Sequence, residues 1–361
     1  MRKNKSISRR EFLKLGGLTA GGLAVKSWDD RYAFDPFPDA ERLARVTEVY
    51  VNVRSRPDLN SDLVGTYNED DVVPCLREIV GGRFSMPYRS SQRWIETPTG
   101  YIWSPLLQPV ANEINSPILE LNETSLGAGM WVEVTIPWVD VVLINSEPMS
   151  PALKDRAKEG KPPRLYYSQV LWVDQIKMDE SQQVWYRINE RYSYGDVFWG
   201  KAEAFRQMTV AEVAPISPEA ENKRIDINLM KQTLSCYEND REVYFCRIST
   251  GMEGEETETP PGLYYYIWRK MLSAHMSGGT TGGGWDLAGV GFTTLFQGDG
   301  IAIHSTFWHN NYGERTSRGC VNARPQDAKW IWRWSTPHVG YDPGDITITD
   351  YSGTNIRVLE N

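Results

Sequence analysis

Apolar and polar residues alternate with period two along much of this chain, the pattern of strands with one buried face. Val49-Tyr50-Val51-Asn52-Val53-Arg54 is the first clear run, and Ser55-Arg56-Pro57-Asp58-Leu59-Asn60-Ser61 breaks it as a turn cluster. Leu63–Tyr67, Val72–Leu76, Trp94–Glu96 and Gly100–Trp103 predict further short strands ending near Val110. Roughly five short strands in so little chain predict a small β-barrel over residues 42–110. A second β-rich unit is read over 126–212, with strands at Met130–Ile136, Val141–Ile144, Leu171–Val173 and Val184–Ile188. Within it, Ser146–Arg164 holds Pro151, Pro162 and Pro163 among charges, and predicts an exposed inserted loop. Pro215 and Pro218 mark the next boundary. Over 222–361, Ile225–Asn228, Gln232–Tyr237 and Glu242–Ile248 alternate, while Gly291–Phe296 and Gly300–His304 read as buried strands. Pro325–Trp334 predicts the one main helix there, with Asn322 as its cap and Pro325 near its first turn. Asp345–Thr349 is a late strand. The chain is therefore expected to be mainly β.

Val51-Asn52-Val53-Arg54-Ser55-Arg56-Pro57, with the later Gly100-Tyr101-Ile102-Trp103, resembles a bacterial SH3-like domain. That resemblance implies a module of the kind that holds enzymes against the cell wall. Val184–Ile188 and Val197–Trp199 echo Trp94–Glu96 and Tyr101–Trp103, so 126–212 is read as a second, diverged SH3-like unit.

Composition narrows the class. The 361 residues are 40% hydrophobic and 24% charged, a globular balance for two or three domains. The net charge of −8 argues against a nucleic-acid partner. No apolar run approaches the roughly 20 residues of a spanning helix, so no stable transmembrane span is expected beyond an uncleaved signal. The 14 Trp, 18 Tyr and 10 Phe suit core packing and stacking on sugars or peptides alike.

The N-terminus resembles an address. Lys3 and Lys5 precede Ser8-Arg9-Arg10-Glu11-Phe12-Leu13-Lys14, and Leu15–Val25 is mildly apolar. This is similar to a twin-arginine export signal, read by a receptor and left out of the fold. The resemblance implies a folded protein exported to the cell envelope, in periplasm or wall. No clean Ala-x-Ala site precedes Trp28, which leaves cleavage open. Residues 1–27 are assigned to the signal and 28–41 to a linker.

The four cysteines, Cys75, Cys236, Cys246 and Cys320, match no zinc or C-x-x-C spacing. Cys236 and Cys246 flank the turn-like Glu238–Arg241. They read as small buried hydrophobes, with a bridge in an oxidising compartment as the alternative.

Only four histidines occur, and two lie just before Cys320, in His304-Ser305-Thr306-Phe307-Trp308-His309. Thr316-Ser317-Arg318-Gly319-Cys320-Val321-Asn322 follows. A thiolate is the reactive form of cysteine, and a nearby imidazole can take the thiol proton and return it to a leaving amine. Backbone N–H groups at Gly319 and Cys320 could hold the oxyanion of a tetrahedral intermediate. His304, His309 and Cys320 could instead bind zinc, but acyl transfer explains the same residues, so no metal and no cofactor is expected. His309 reads as a pocket-wall or surface residue. Gly278–Gly284 is glycine-rich without the ending of a phosphate loop, and reads as a flap or a linker. Trp308, Tyr312 and Trp285 suit a substrate groove or a core equally.

His-Ser, a gap of ten residues or so, then Ser-Arg-Gly-Cys-Val-Asn is similar to the signature of the L,D-transpeptidase catalytic domain. Ile248-Ser249-Thr250-Gly251, Thr259-Pro260-Pro261-Gly262-Leu263-Tyr264 and Trp285-Asp286-Leu287 resemble its other pieces, in order. The resemblance implies two small SH3-like barrels followed, at 222–361, by a β-sandwich-like catalytic domain with one main helix. It implies Cys320 as nucleophile, His304 as acid and base, and Ser305 as the group that orients His304 through its backbone or hydroxyl. Ser317, Arg318, Gly319, Asn322, Trp308 and His309 would shape the oxyanion and substrate pocket. Peptidoglycan stem peptides would be the partners, the product a 3→3 cross-link, and the protein a monomer. The same site could act as an L,D-carboxypeptidase, and a non-catalytic wall-binding protein is the rival from another class. Acylation of Cys320 by carbapenems is a further implied trait. One departure is Arg318, where the family carries histidine. Arginine stays protonated, so it cannot be a base, but it could donate hydrogen bonds or pull the Cys320 pKa down.

Overall fold

The C-terminal part is built on Lys223–Asn228, whose sequence KRIDIN buries Ile225 and Ile227 and leaves Arg224, Asp226 and Asn228 half-buried. This is the alternation that β-branched residues satisfy on a pleated surface. Thr233–Glu238 pairs antiparallel with it, Asn355–Leu359 parallel, and Arg241–Arg247 and Gly262–Tyr266 complete a five-stranded sheet. A second five-stranded sheet runs Val321–Ala323, Ile301–Ser305, Trp285–Gln297, Arg269–Gly278, Asp345–Thr347. Its strands Ile301–Ser305 and Val321–Ala323 are parallel, with Ile303 beside Val321 and His304 beside Asn322.

The computed structural model describes residues 37–82, 91–254, 257–278, 285–298 and 300–360. The twin-arginine signal, most of the linker, most of Gly278–Gly284 and the Trp285 side chain lie outside these.

The helix Pro325–Trp334 buries Ala328, Ile331, Trp332 and Trp334 against the C-terminal core. Asn322 does not cap it. Asn322 is a buried strand residue, and Arg324 holds the cap position without a side-chain cap bond. Proline at the first turn needs no N–H partner, which lowers the demand for a cap. The last turn leaves carbonyls without helical partners. Two buried lysines meet them: Lys270 Nζ donates to Trp332 and Ser335, and Lys223 Nζ to Trp334 at 2.8 Å. Cations suit the negative end of the helix.

Residues 43–110 form a three-stranded and a five-stranded antiparallel sheet, ordered 72–74, 43–46, 107–110 and 63–68, 50–54, 100–103, 93–97, 77–80. No pair among the described strands closes either into a ring. The middle part carries a larger sheet, led by Gly127–Val134, Val170–Met178, Val184–Asn189 and Val197–Lys201. The segment Ser146–Arg164 is not simply a loop. It contains the exposed helix Pro151–Lys158, capped by the Ser150 side chain on Leu153 N–H. Proline at its first position and serine just before it are a helix start, which the proline count alone concealed.

The main core joins the two C-terminal sheets and the helix, and takes in Trp131, Val170 and Trp172 from the middle part. Cys236 and Cys246 are buried in it and free, as the favoured sequence reading has it.

Candidate active site

The strand Ile301–Ser305 carries His304, which is 2% exposed. Its Nδ1 lies 2.8 Å from the Ser305 carbonyl oxygen. A carbonyl only accepts, so Nδ1 carries the proton and Nε2 keeps its lone pair. Ser305 thus orients His304 through its backbone; its hydroxyl has no partner among the described residues. Burial lowers the His304 pKa to about 4, so the ring is neutral at pH 7. Trp308, half-buried, lies with its ring 5.7 Å from that of His304.

Cys320 immediately precedes Val321, the partner of Ile303. One step back along this parallel register brings it level with Ala302. Strand alternation then sets Cys320, Asn322 and His304 on one face. The thiol is half-buried and lies 3.9 Å from the Gly300 carbonyl. Burial raises its pKa, and a backbone hydrogen bond from Ala302 works the other way. The net shift is upward, so burial decides it, and the Arg318 side chain is exposed.

A cradle of short polar residues holds this segment. Ser249 and Asn322 exchange two backbone hydrogen bonds, at 2.9 and 2.8 Å. The Thr250 carbonyl accepts from the N–H groups of Thr316 and Ser317, and Met252 N–H returns to the Ser317 carbonyl. The buried Ser317 hydroxyl donates to the Cys320 carbonyl. Gly251 must be glycine, because a Cβ there would stand 2.0 Å from the Thr257 carbonyl oxygen. Gly319 has φ +113°, a conformation open to glycine, while the space beside it is ample, with nothing nearer than 3.7 Å to a Cβ. Here the requirement is backbone shape, not room.

His309 is buried, not at the surface, and lines a cleft of about 490 Å³ shared with Gln108, Ser168 and Arg324. Its Nδ1 accepts from Asn311 N–H at 3.1 Å, so Nε2 carries the proton. Nε2 lies 2.8 Å from Asn322 Nδ2, and turning that carboxamide over presents its otherwise unpartnered oxygen as the acceptor Nε2 needs. Both ring nitrogens are engaged, which leaves no lone pair for a metal. Among the described residues no group of His, Cys, Asp or Glu is placed to hold one. Tyr312 is buried, its hydroxyl 3.4 Å from the Thr306 and Ala323 carbonyls, and it lines the same cleft.

Residues 222–356 match the family model of the L,D-transpeptidase catalytic domain (YkuD). This part of the chain is an L,D-transpeptidase catalytic domain. The match covers just over a third of the chain. Among solved structures, the chain is similar to a mutant L,D-transpeptidase from Enterococcus faecium, 23% identical over 39% of this chain and 51% of that one, with a TM-score of 0.30. The catalytic domain of an E. faecium L,D-transpeptidase is 22% identical over 38% and 98%, TM-score 0.30. An L,D-transpeptidase from Mycobacterium smegmatis is 14% identical over 68% and 98%, TM-score 0.31. The chain thus spans about half the length of the first of these. No curated protein matches it. No helix among the described residues is long and apolar enough to cross a membrane.

The L,D-transpeptidase domain depends on residues the motif did not single out. Gln232 is buried; it donates to Thr250 Oγ1 at 2.7 Å and accepts from Thr250 N–H at 2.8 Å. Its sequence signal is faint, a glutamine at the start of an alternating run. Thr259 was visible in Thr-Pro-Pro-Gly, though without a role. A third cluster escaped notice: His275 sits between Glu190, 2.9 Å from Nδ1, and Asp286, 2.6 Å from Nε2. These partners lie far apart in sequence, and no local pattern announces them.

Proposed function

We propose that the protein is an exported cysteine L,D-transpeptidase that forms 3→3 cross-links in peptidoglycan. The observation that carries the reading is the His304 tautomer: with Nδ1–H given to the Ser305 carbonyl, Nε2 is a base on the same sheet face as Cys320.

The low His304 pKa and the raised Cys320 pKa favour a neutral resting pair. The thiol proton then moves to His304 Nε2 as Sγ attacks the carbonyl of the third residue of a donor tetrapeptide stem. Backbone N–H groups at Gly319 and Cys320 receive the developing oxyanion, and the φ of Gly319 gives them their direction. On collapse the C–N bond breaks, and His304 returns its proton to the departing D-alanine amine. A thioester on Cys320 remains. The side-chain amine of a neighbouring stem attacks it, closes the cross-link and regenerates the thiol. Water in place of the amine would release a tripeptide, the carboxypeptidase outcome. The twin-arginine-like segment supports delivery to the cell envelope, and the SH3-like resemblance supports retention at the wall.

The test is the purified chain with a disaccharide tetrapeptide at neutral pH, beside Cys320→Ala and His304→Ala, with products read by mass. A dimer lacking one D-alanine, absent from both variants, is expected. Tripeptide without dimer assigns the carboxypeptidase. Retention on sacculi without turnover assigns the wall-binding protein.

A further inference from the structure

The loop Thr306–Tyr312 follows His304 in the chain, and residues of the N-terminal unit hold it from behind. Arg45, 4% exposed, donates from Nη2 to the Phe307 carbonyl at 2.7 Å. The same guanidinium donates to Asp70 at 2.7 Å, and to Gln108 Oε1 at 3.0 and 2.8 Å. It lies 4.2 Å from the ring centre of Tyr166, which stacks on Phe307 at 5.8 Å. Arg93 Nη2 donates to the Asn310 carbonyl at 2.5 Å, and Asn310 N–H donates to the Pro105 carbonyl at 3.1 Å. Asn310 Nδ2 reaches Ser104 Oγ at 3.1 Å. On its other side the same loop sets Trp308 beside the His304 ring and His309 against Asn322, the strand neighbour of His304.

We propose that Arg45 and Arg93 are positioning residues for His304. They clamp the loop by its carbonyls, and through Trp308 and His309 the clamp sets the tilt of the imidazole. The N-terminal unit is then part of the active-site framework as well as any attachment device. Buried carbonyls must be paired, and a charged donor pairs them strongly. The guanidinium fork reaches Phe307, Asp70 and Gln108 at once, which an ammonium on a flexible stem does not reproduce. The inference rests on the proton-carrying role given to His304 above.

The test uses the full chain with Arg45→Met, Arg45→Lys and Arg93→Gln. Arg77→Gln is the surface control, its side chain 67% exposed on the same unit. The readouts are kcat and KM on the disaccharide tetrapeptide, and the pH dependence of turnover, with folding checked by circular dichroism. Arg45→Met and Arg93→Gln are expected to lose roughly 10- to 100-fold in kcat, the order that a displacement of about 1 Å produces, with little change in KM. The acid limb of their pH profiles should move with kcat, Arg45→Lys should recover part of the loss, and Arg77→Gln should match wild type. Should Arg45→Met fail to fold, Arg93→Gln decides, since its side chain is 24% exposed and its loss tolerable. Folded Arg93→Gln with wild-type kcat and pH profile overturns the inference, and so does an equal loss in Arg77→Gln. His304→Gln is measured alongside. Wild-type turnover by that variant removes the assignment of the base. A large loss there, with none in the arginine variants, leaves the base standing and removes only the clamp.

Discussion

Thr259 ties the cysteine segment to the strand end that cradles it: its hydroxyl donates to the Gly319 carbonyl at 2.7 Å and accepts from Gly251 N–H at 2.9 Å. One buried oxygen thus satisfies two backbone groups sixty-eight residues apart in the chain. Valine keeps the shape and removes both bonds. Thr259→Val should therefore lose about 1–3 kcal/mol of stability and slow acylation of Cys320, while Thr259→Ser restores both. Thermal melts and intact-mass acylation rates check this; a wild-type rate in Thr259→Val would sink it.

Gly319→Ala is expected to cost about 1–3 kcal/mol through backbone strain alone, because φ is +113° and the nearest atom to a new Cβ is 3.7 Å away. Turnover should fall with little loss of substrate affinity, since the strained carbonyl and N–H groups sit at the nucleophile. An Ala variant with unchanged melting and turnover would show that the positive φ is not required.

The neutral resting pair has a signature in thiol chemistry. Alkylation of Cys320 by iodoacetamide should climb with pH as an ordinary or raised thiol does, above its usual 9.0. Peptide mapping separates it from the half-buried Cys75 and the buried Cys236 and Cys246. A rate already level below pH 7 would mean a thiolate–imidazolium pair and contradict the proposed order of proton transfer.

Stability should peak near pH 6.5. His275 is raised from 6.5 to about 9 by its bonds to Asp286 and Glu190, which outweigh burial. Its contribution is complete below pH 6.5 and is lost as pH rises through 9. His304 and His309 are lowered by burial to about 4 and about 3, so the unfolded chain binds their protons first as pH falls below 6.5. Stability therefore also drops on the acid side. His275→Leu, which strands two buried carboxylates, should cost about 3–5 kcal/mol and remove the alkaline slope. Denaturant titrations from pH 4 to 9 measure both limbs; a slope unchanged in His275→Leu would refute the assignment.

Period-two alternation located Ile225–Asn228, Gln232–Tyr237 and Glu242–Ile248, since a buried face writes itself into every second residue, while Gly262–Tyr266, Arg269–Gly278, Val321–Ala323 and Asn355–Leu359 were not read as strands. The helix Pro325–Trp334 was legible from the proline near its first turn. Short-range signals failed where the partner was distant. Asn322 has the residue type of a cap, yet its place was set by Ser249 and His309. Arg45, inside the apolar run Leu43–Val46, was a charge in a buried strand and so a hint of a partner, but only folding named Phe307.

His304, Cys320 and the glycine between the arginine and the thiol are local facts, because nucleophile, base and backbone shape sit within one short stretch of chain. Their protonation is not. Which nitrogen of His304 bears the proton is set by the direction that the folded strand gives the neighbouring Ser305 carbonyl, and the low imidazole and high thiol pKa follow from burial. Hydrophobic periodicity and motif spacing are properties of neighbours in sequence; desolvation and hydrogen-bond satisfaction are properties of neighbours in space, and only the folded chain supplies those.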